Sequence, residues 1–502
     1  MFLKQASHCM PTRLIHLRFG DEVDAVVCAR MQYAFRIFAA IYGHRVVSKA
    51  ADAETCCVYG RPGGGYCSNG EFLIPARYTV RARNARAPIL QKHRYANEDL
   101  PLVYGIDGTT GRPDWLGEIF EWLSASLECA SEKKDAVGRI PYSGTVFHQQ
   151  KISPFKPHAG LLMAWMENCL HGNMEPTRLP KAPSALPGVE HAVICSHDID
   201  FYYTGTSAAF ERLGKNMLIS LLHYRDASFL FANVKMTTNL LRGRAVGGYI
   251  PAMLDRIESL GFRSTLFAVT GGTHRRDPKY RIEQIAPHLL GAARRGFGVG
   301  VHGSYNSIVK PNGLRSEAVA LENVMGRKPT GNRQHWLRFD RHDKLYRRLH
   351  EAGFAYDSSL GFSETCGFRN GANFAFPPYD FENEQPCSFL EIPLVIMDGS
   401  LQSASRKLRR NPQDIADEIL NESRRVGWGG ISVLWHNPME AIQVPEEINR
   451  VFWRSAQKRV ECGESWMSGE EFVKACVGRY QCAGLLGEIS FNAEDANRTS
   501  AS

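Results

Sequence analysis

Long hydrophobic runs are missing from this chain. No stretch reaches the ~18 uninterrupted apolar residues that a membrane span needs, and the richest, around Leu161–Met166, is far too short. The start, MFLKQASHCMPTRLIHLRFGD, lacks an apolar core of signal-peptide length before Arg13 and His16 interrupt it, so a cytoplasmic protein is expected. Paired cysteines are missing too. The thirteen cysteines are odd in number and scattered, and none forms a CxxC pair, Cys56 and Cys57 being merely adjacent. Free, mostly buried thiols in a reducing compartment fit this usage better than a disulfide framework. RPGGGY at Arg61–Tyr66 has no following GK[ST] and reads as a plain loop, not a phosphate loop. The net charge is +8, with basic runs at Arg406–Arg410 and at Arg347 with Arg348. No zinc-finger, RNP or helix-turn-helix pattern accompanies them, so these are solvated faces and no nucleic-acid partner is expected.

What is present is an ordinary globular composition, 44% hydrophobic and 22% charged over 502 residues. That length exceeds the ~250–300 residues at which a single core stops growing, so two domains are expected. Residues 1–174 carry mixed helix and strand signals, with apolar residues at helical spacing over Met31–Tyr42 and Trp115–Leu127. They contain no catalytic cluster and read as a smaller α/β domain for scaffolding, partner binding or substrate gripping. Pro176, Pro180, Pro183 and Pro187 exclude a helix or central strand over 175–188, which reads as a linker. Residues 485–502 read as a disordered tail.

Between 189 and 484 strands and helices alternate. Apolar, β-prone segments at Ala192–Cys195, GFRSTLFAVT, FGVGVHG, GNRQHWL, FAYDSS, SFLEIPL and GISVLWHN are interleaved with helical patterns. A basic, glycine-containing insertion follows the first helix, read over Ser207–His223. Further helices are read over Pro251–Leu260, Tyr280–Arg295, up to Ala352, Pro412–Val426 and Ser468–Val477. Seven strands in this order imply parallel pairing with crossover helices, closed into a barrel or strongly curved sheet. Chemistry in such a fold sits at the strands' C-terminal ends.

The organising stretch is SHDID, Ser196–Asp200, at the end of the first of these strands. Side chains two apart in extended backbone face one way, so Asp198 and Asp200 converge with His197 turned aside. Two converging carboxylates call for a cation or a shared proton. His302, Arg333, His335, Asp357 and His436 also end strands. Each has a bland alternative, as a hydrogen-bonded or exposed histidine, an ion-pair arginine or a turn-capping aspartate. Together they would offer ligands for a borderline cation, a spare carboxylate, an arginine and a second imidazole in one mouth.

SHDID resembles the TFDDG motif of the polysaccharide deacetylase (NodB-homology, carbohydrate esterase 4) family, in a variant with one residue between the aspartates. His302 in GVGVHGSYNS resembles the start of the family's HxxxH motif, Arg333 and Trp336 in RQHWL its Arg-aromatic motif, and Leu434 and His436 in VLWHN its final motif. DSS at Asp357, GFRNG at Gly367–Gly371, IFEWLSASLE and GRIPYSG resemble a subgroup in which an N-terminal α/β domain of unknown function precedes the barrel. The resemblance implies a distorted (β/α)7 barrel of NodB type and metal-dependent removal of an N-acetyl or similar group from a sugar. Asp200 and His302 would hold a divalent metal of zinc type, Asp198 would be the general base, Arg333 would orient it, and His436 would protonate the leaving amine. Trp336 and Leu434 would line the acyl pocket, and Asp357 and Arg369 would contact substrate. The partner implied is an N-acetylated saccharide or saccharide precursor of surface polysaccharide metabolism.

One departure bears on this. Asn306 stands where the second histidine of HxxxH belongs, and an amide oxygen is a poor zinc ligand. His335, two residues after Arg333 and on the same side by strand alternation, is the expected substitute, with Asn306 as the alternative ligand. Two other readings stay open: a glycan-binding barrel that has lost its metal, and a glycosidase using Asp198 and Asp200 as acid and base. Neighbouring carboxylates suit metal binding better than flanking a glycosidic bond.

Overall fold

The computed structural model describes residues 13–62, 70–81, 87–129, 131, 133–173, 179–202, 207–224, 227–243, 249–339 and 342–488. Most of the glycine loop, residues 175–178 of the proline-rich stretch and most of the expected tail lie outside them. No helix among the described residues is long and apolar enough to cross a membrane.

The N-terminal portion carries a parallel sheet in the order β2-β1-β3-β4, from β1 (Leu14–Phe19), β2 (Arg45–Val46), β3 (Thr55–Gly60) and β4 (Phe72–Pro75). An antiparallel hairpin of β5 (Gln91–Tyr95) and β6 (Glu98–Leu102) follows. The helix Ala25–Tyr42 starts where the Asp24 side chain accepts the Val27 amide at 2.9 Å, and stops at Gly43, whose φ of 78° only glycine adopts freely.

The second portion is a curled, parallel, half-barrel sheet. It uses β7 (Ala192–Asp198), β8 (Thr265–Ala268), β9 (Gly298–Gly303), β10 (Gly331–Gln334) and β11 (Tyr356–Asp357). A small hairpin of β12 (Tyr379–Asp380) and β13 (Gln385–Pro386) stands apart, and the sheet is completed by β14 (Leu390–Glu391), β15 (Leu394–Met397), β16 (Ile431–Leu434) and β17 (Ser465–Met467). Eight strands run in the order β14-β11-β10-β9-β8-β7-β16-β15, and β17 pairs with the start of β7. Every residue of β7 is buried, as expected for a parallel strand covered on both faces.

The sheet therefore has more strands than the seven read from the sequence. SFLEIPL divides at Ile392–Pro393 into β14 and β15, because proline cannot donate to a ladder. The insertion after the first helix contains a helix, Ala227–Leu241, and Asp398–Leu408 is a further helix the apolar spacing did not show.

Both portions share one continuous apolar core that includes Phe35, Phe38, Trp115 and Phe120 on one side and Phe374, Phe376, Trp428 and Tyr480 on the other. Across the contact, Tyr33 and Phe120 each meet the Tyr379 ring edge-on at 5.0 Å, and Arg30 bonds Glu384 at 2.6 Å. Deeper in, the Arg369 guanidinium pairs with Glu128 at 2.9 Å, both side chains 4% exposed. Losing one member of such a pair strands a buried charge, so Arg369→Ala should cost about 3–5 kcal/mol of stability. A thermal or urea melt reads this, and a cost below ~1 kcal/mol would show that the pair does not fasten the two portions.

Candidate metal centre

Asp198 is the last residue of β7, and the chain turns at once, the Asp200 amide donating to the Asp198 carbonyl at 3.1 Å. Both carboxylates line a cleft of about 450 Å³ at the C-terminal end of the sheet, with His302, His335 and His436. His197 is turned aside. It is fully buried, hydrogen-bonded through Nδ1 to the Trp435 carbonyl at 2.6 Å, and its pKa is pushed down to about 4 by burial.

Asp200 is the hub. Its Oδ1 lies 3.4 Å from His302 Nε2, and its Oδ2 lies 3.5 Å from His335 Nε2 and 3.7 Å from His436 Nε2. Burial works against its charge, yet His335 and His302 hold the carboxyl well below the usual range. Each surrounding imidazole is fixed from behind. His302 Nδ1 donates to the Arg333 carbonyl at 2.9 Å, which leaves Nε2 as the lone-pair nitrogen facing Asp200. His335 Nδ1 faces Asp277 Oδ1 at 3.4 Å. His436 Nδ1 meets Asp398 Oδ1 at 2.9 Å, and the His436 amide donates to Asp398 Oδ2 at 3.0 Å. Burial alone would lower the pKa of His335 and His436. Asp200 with Asp277 for the first, and Asp398 with Asp200 for the second, outweigh it and raise both to about 9.

One ligand atom each from Asp200, His302 and His335 fall within 4.8 Å of one another. Asp200 Oδ1 and His302 Nε2 are buried polar atoms without a hydrogen-bond partner, a costly condition that a cation between them would relieve, and Asp198 Oδ1 is likewise unpartnered beside them. Carboxylate and imidazole donors, each backed by a carbonyl or carboxylate, are the set that binds zinc-type ions, so the residues fit such an ion.

His335 arrives by a different route from the one strand alternation implies. β10 ends at Gln334, and His335–Leu337 form a single tight turn with Trp336 at φ 65° and Leu337 at φ 49°. That left-handed turn, unusual for such residues, swings His335 into the cleft and Trp336 to its rim, 44% exposed. It is held from the N-terminal portion, where Arg139 donates to the Trp336 carbonyl. Arg333 stays in the strand, fully buried, below the cleft.

Several candidates stand outside the cleft. The Arg333 guanidinium bonds the hydroxyls of Ser196, Ser358 and Ser432 at 3.0, 3.1 and 3.2 Å, so it does not touch Asp198 to orient it. Asn306 accepts from Arg338 at 3.4 Å and is not in the ligand group. Asp357 is fully buried, accepting from Asn332 at 2.6 Å and from the Ser359 hydroxyl at 2.9 Å. Leu434 packs beneath the floor with Leu337, Leu394 and Met397, of which Leu337 and Met397 reach the cleft. Arg369 is committed to Glu128.

Two carboxylates escaped the sequence reading. Asp277 sits in the basic segment HRRDPK and is buried, with the Tyr305 and His274 amides converging on it at 2.7 and 2.8 Å. Asp398 follows β15 directly, and the strand-end argument used for Asp198 would have found it had SFLEIPLVIMD been divided correctly.

No family model and no curated protein matches the chain. Among solved structures it is similar to a protein described as a polysaccharide deacetylase from Mycobacterium smegmatis, at 15% identity and a TM-score of 0.38, over 63% of this chain and 98% of that one. Puue allantoinase aligns at 11% identity and TM-score 0.36, over 60% and 94%. The Bc1960 peptidoglycan N-acetylglucosamine deacetylase aligns at 11% identity and TM-score 0.29, over 57% and 94%. All three TM-scores lie below 0.5.

Proposed function

We propose that this chain is a metal-dependent hydrolase that removes an N-acyl group, such as acetyl, from an amino sugar or saccharide of surface polysaccharide metabolism. On this reading residues 189–484 form a NodB-type barrel, and 1–174 an α/β domain joined to it through 175–188. The observation that carries the proposal is the convergence of Asp200, His302 and His335 beside a free carboxylate, Asp198, and a proton-bearing imidazole, His436. An Asp-His-His set leaves coordination positions open for water and substrate.

A divalent ion held there would supply a water ionising near neutral pH and polarise the acyl carbonyl. Asp198, its Oδ1 free of protein partners, takes the proton of the attacking water. The acyl carbon gains the hydroxyl and the C–N bond breaks. His436, held protonated by Asp398, delivers its Nε2 proton to the leaving amine. Trp336, Leu337 and Met397 offer apolar surface to the acyl group. Asn306 is the support for a metal-free glycan-binding reading, and the grouping of His335 with Asp200 and His302 weighs against it.

Release of acetate from N-acetylated saccharides, measured with and without a chelator, tests the proposal. Chelator-sensitive release is expected, and release indifferent to chelation would overturn the metal's part in it.

Metal binding should also be linked to protons. Asp200 and Asp277 outweigh burial and raise the pKa of His335 to about 9, whereas a ligand imidazole must be neutral. Binding below that pH expels the proton, so affinity falls about tenfold per unit as pH is lowered. Titrating zinc in weak buffer at pH 7 should release about one proton per ion. Affinity unchanged between pH 6 and 8 would contradict this.

A further inference from the structure

The helices Ser207–Ile219, continued by a π-helical segment at Ser220–Tyr224, and Ala227–Leu241 pack together as a pair that is apolar on its outward side as well as on its inner one. Its barrel-facing side packs Ala209, Leu213, Met236 and Leu240 with Ile442, and holds two buried asparagines. Asn216 donates to Asn233 at 2.8 Å, and the two side chains also reach the carbonyls of Ile442 and Ala441. The outward side carries aliphatic and aromatic residues. Leu218, Leu221, Leu222, Phe231 and Leu241 are 56, 58, 73, 70 and 72% exposed. With Ile219 and Val234 they make seven of the fourteen large hydrophobics exposed among the described residues. Singly exposed apolar residues are ordinary, but half of them gathered on one hairpin mark a surface that something covers.

Charge says what that something is. The two helices and the residue after them carry Arg212, Lys215, Lys235 and Arg242 against one carboxylate, Glu211, which pairs with Lys215 at 2.6 Å. Along the first helix and into Ser220–Tyr224 the outward positions run Glu211, Lys215, Leu218, Leu222, charged toward the cleft and apolar away from it. Five of the seven exposed apolar side chains, Leu218, Ile219, Leu221, Leu222 and Phe231, lie toward that apolar end with basic side chains behind them, the arrangement by which interfacial helices enter a bilayer's headgroup region. A protein partner would be matched by a mixed rim, and a second copy would bring the same excess of positive charge against itself.

We propose that this hairpin docks the protein on an anionic lipid surface, its apolar end entering the headgroup layer and its lysines and arginines meeting lipid phosphates. Arg212 and Lys215 also line the cleft, so the docked protein presents its cleft beside the membrane. On the hydrolase reading, which this last step rests on, its saccharide would be carried by a membrane-anchored molecule.

Sedimentation with vesicles tests the docking independently of any turnover. The full-length protein is incubated with vesicles of phosphatidylcholine alone, or containing about one third phosphatidylglycerol. Binding to the anionic vesicles is expected, about fivefold weaker for each basic side chain removed and weakened by salt. Leu222→Glu with Phe231→Glu should lower partitioning tenfold or more with an unchanged melting temperature, since both side chains are exposed. Leu222→Ser with Phe231→Ser gives the same readout should the glutamates disturb folding. Absence of binding to anionic vesicles at low salt overturns the proposal, as does binding that neither double variant weakens. So does a dimer seen in ultracentrifugation that Leu222→Glu dissolves while vesicles are ignored, which would assign the surface to a second copy.

Discussion

Asp200→Ala is expected to abolish metal binding and turnover together, whereas Asp198→Asn abolishes turnover with the metal retained. The two carboxylates share a turn and a cleft but differ in their neighbours. Asp200 has three imidazole nitrogens within 3.7 Å, so its removal dissolves the hub that aims His302, His335 and His436 at one point. Residues that merely support metal ligands cost 10–100-fold in affinity when replaced, and a direct ligand should cost more than ~100-fold. Asp198 lies near only one of those imidazoles, at 3.6 Å from His302 Nε2, and keeps an oxygen free. Its replacement by the isosteric amide removes proton acceptance alone, a loss of roughly 10²–10⁴ in rate. Metal content by elemental analysis and acetate release separate the two variants, and equal metal loss in both would refute the division of roles.

His335→Ala is expected to weaken metal binding as much as His302→Ala, and Asn306→Ala to leave it nearly unchanged. His335 Nε2 and His302 Nε2 stand at similar distances from the Asp200 carboxylate, 3.5 and 3.4 Å. Asn306 has its side-chain oxygen engaged by Arg338. Loss of either imidazole leaves two protein ligands, too few for a tight zinc-type site. Asp277→Asn should fall between, about 10–100-fold weaker, because it removes the carboxylate that sets the His335 ring. Isothermal titration with zinc gives these values. Should Asn306→Ala lose as much as His302→Ala, the ligand set is wrong.

The sequence carried much of this and concealed the rest for physical reasons. Alternation of strand and helix, with polar residues at strand ends, showed a parallel sheet and placed Asp198, Asp200, His302 and His436 at one end of it. Strand alternation is an insufficient reason for His335, since it brings Arg333 to the cleft as well. A left-handed turn at Trp336, fixed by Arg139 from more than a hundred residues earlier, decides that Arg333 stays below and His335 does not. No local pattern encodes such a long-range hydrogen bond. Asp277 was hidden in the same way, being a loop aspartate whose burial is imposed by the backbone of Tyr305 and His274. Arg369 and Asp357 were polar residues in a motif-like setting that turned out to fasten the interior, because a buried charge or carboxyl needs partners wherever it falls. Of the helix pair beside the cleft the sequence shows the first helix, Ser207–His223, while the second falls in the segment that reads as an insertion, and Asn216 and Asn233 reaching the 441–442 carbonyls help to seat the pair.

On the proposed reading Asp200, His302 and His335 together hold a divalent ion, which anomalous diffraction at the zinc edge from zinc-soaked crystals would show. A peak is expected about 2.0–2.2 Å from one oxygen of Asp200 and from the Nε2 atoms of His302 and His335. A peak whose ligand shell omits His335, or the absence of any peak at Asp200, would contradict it.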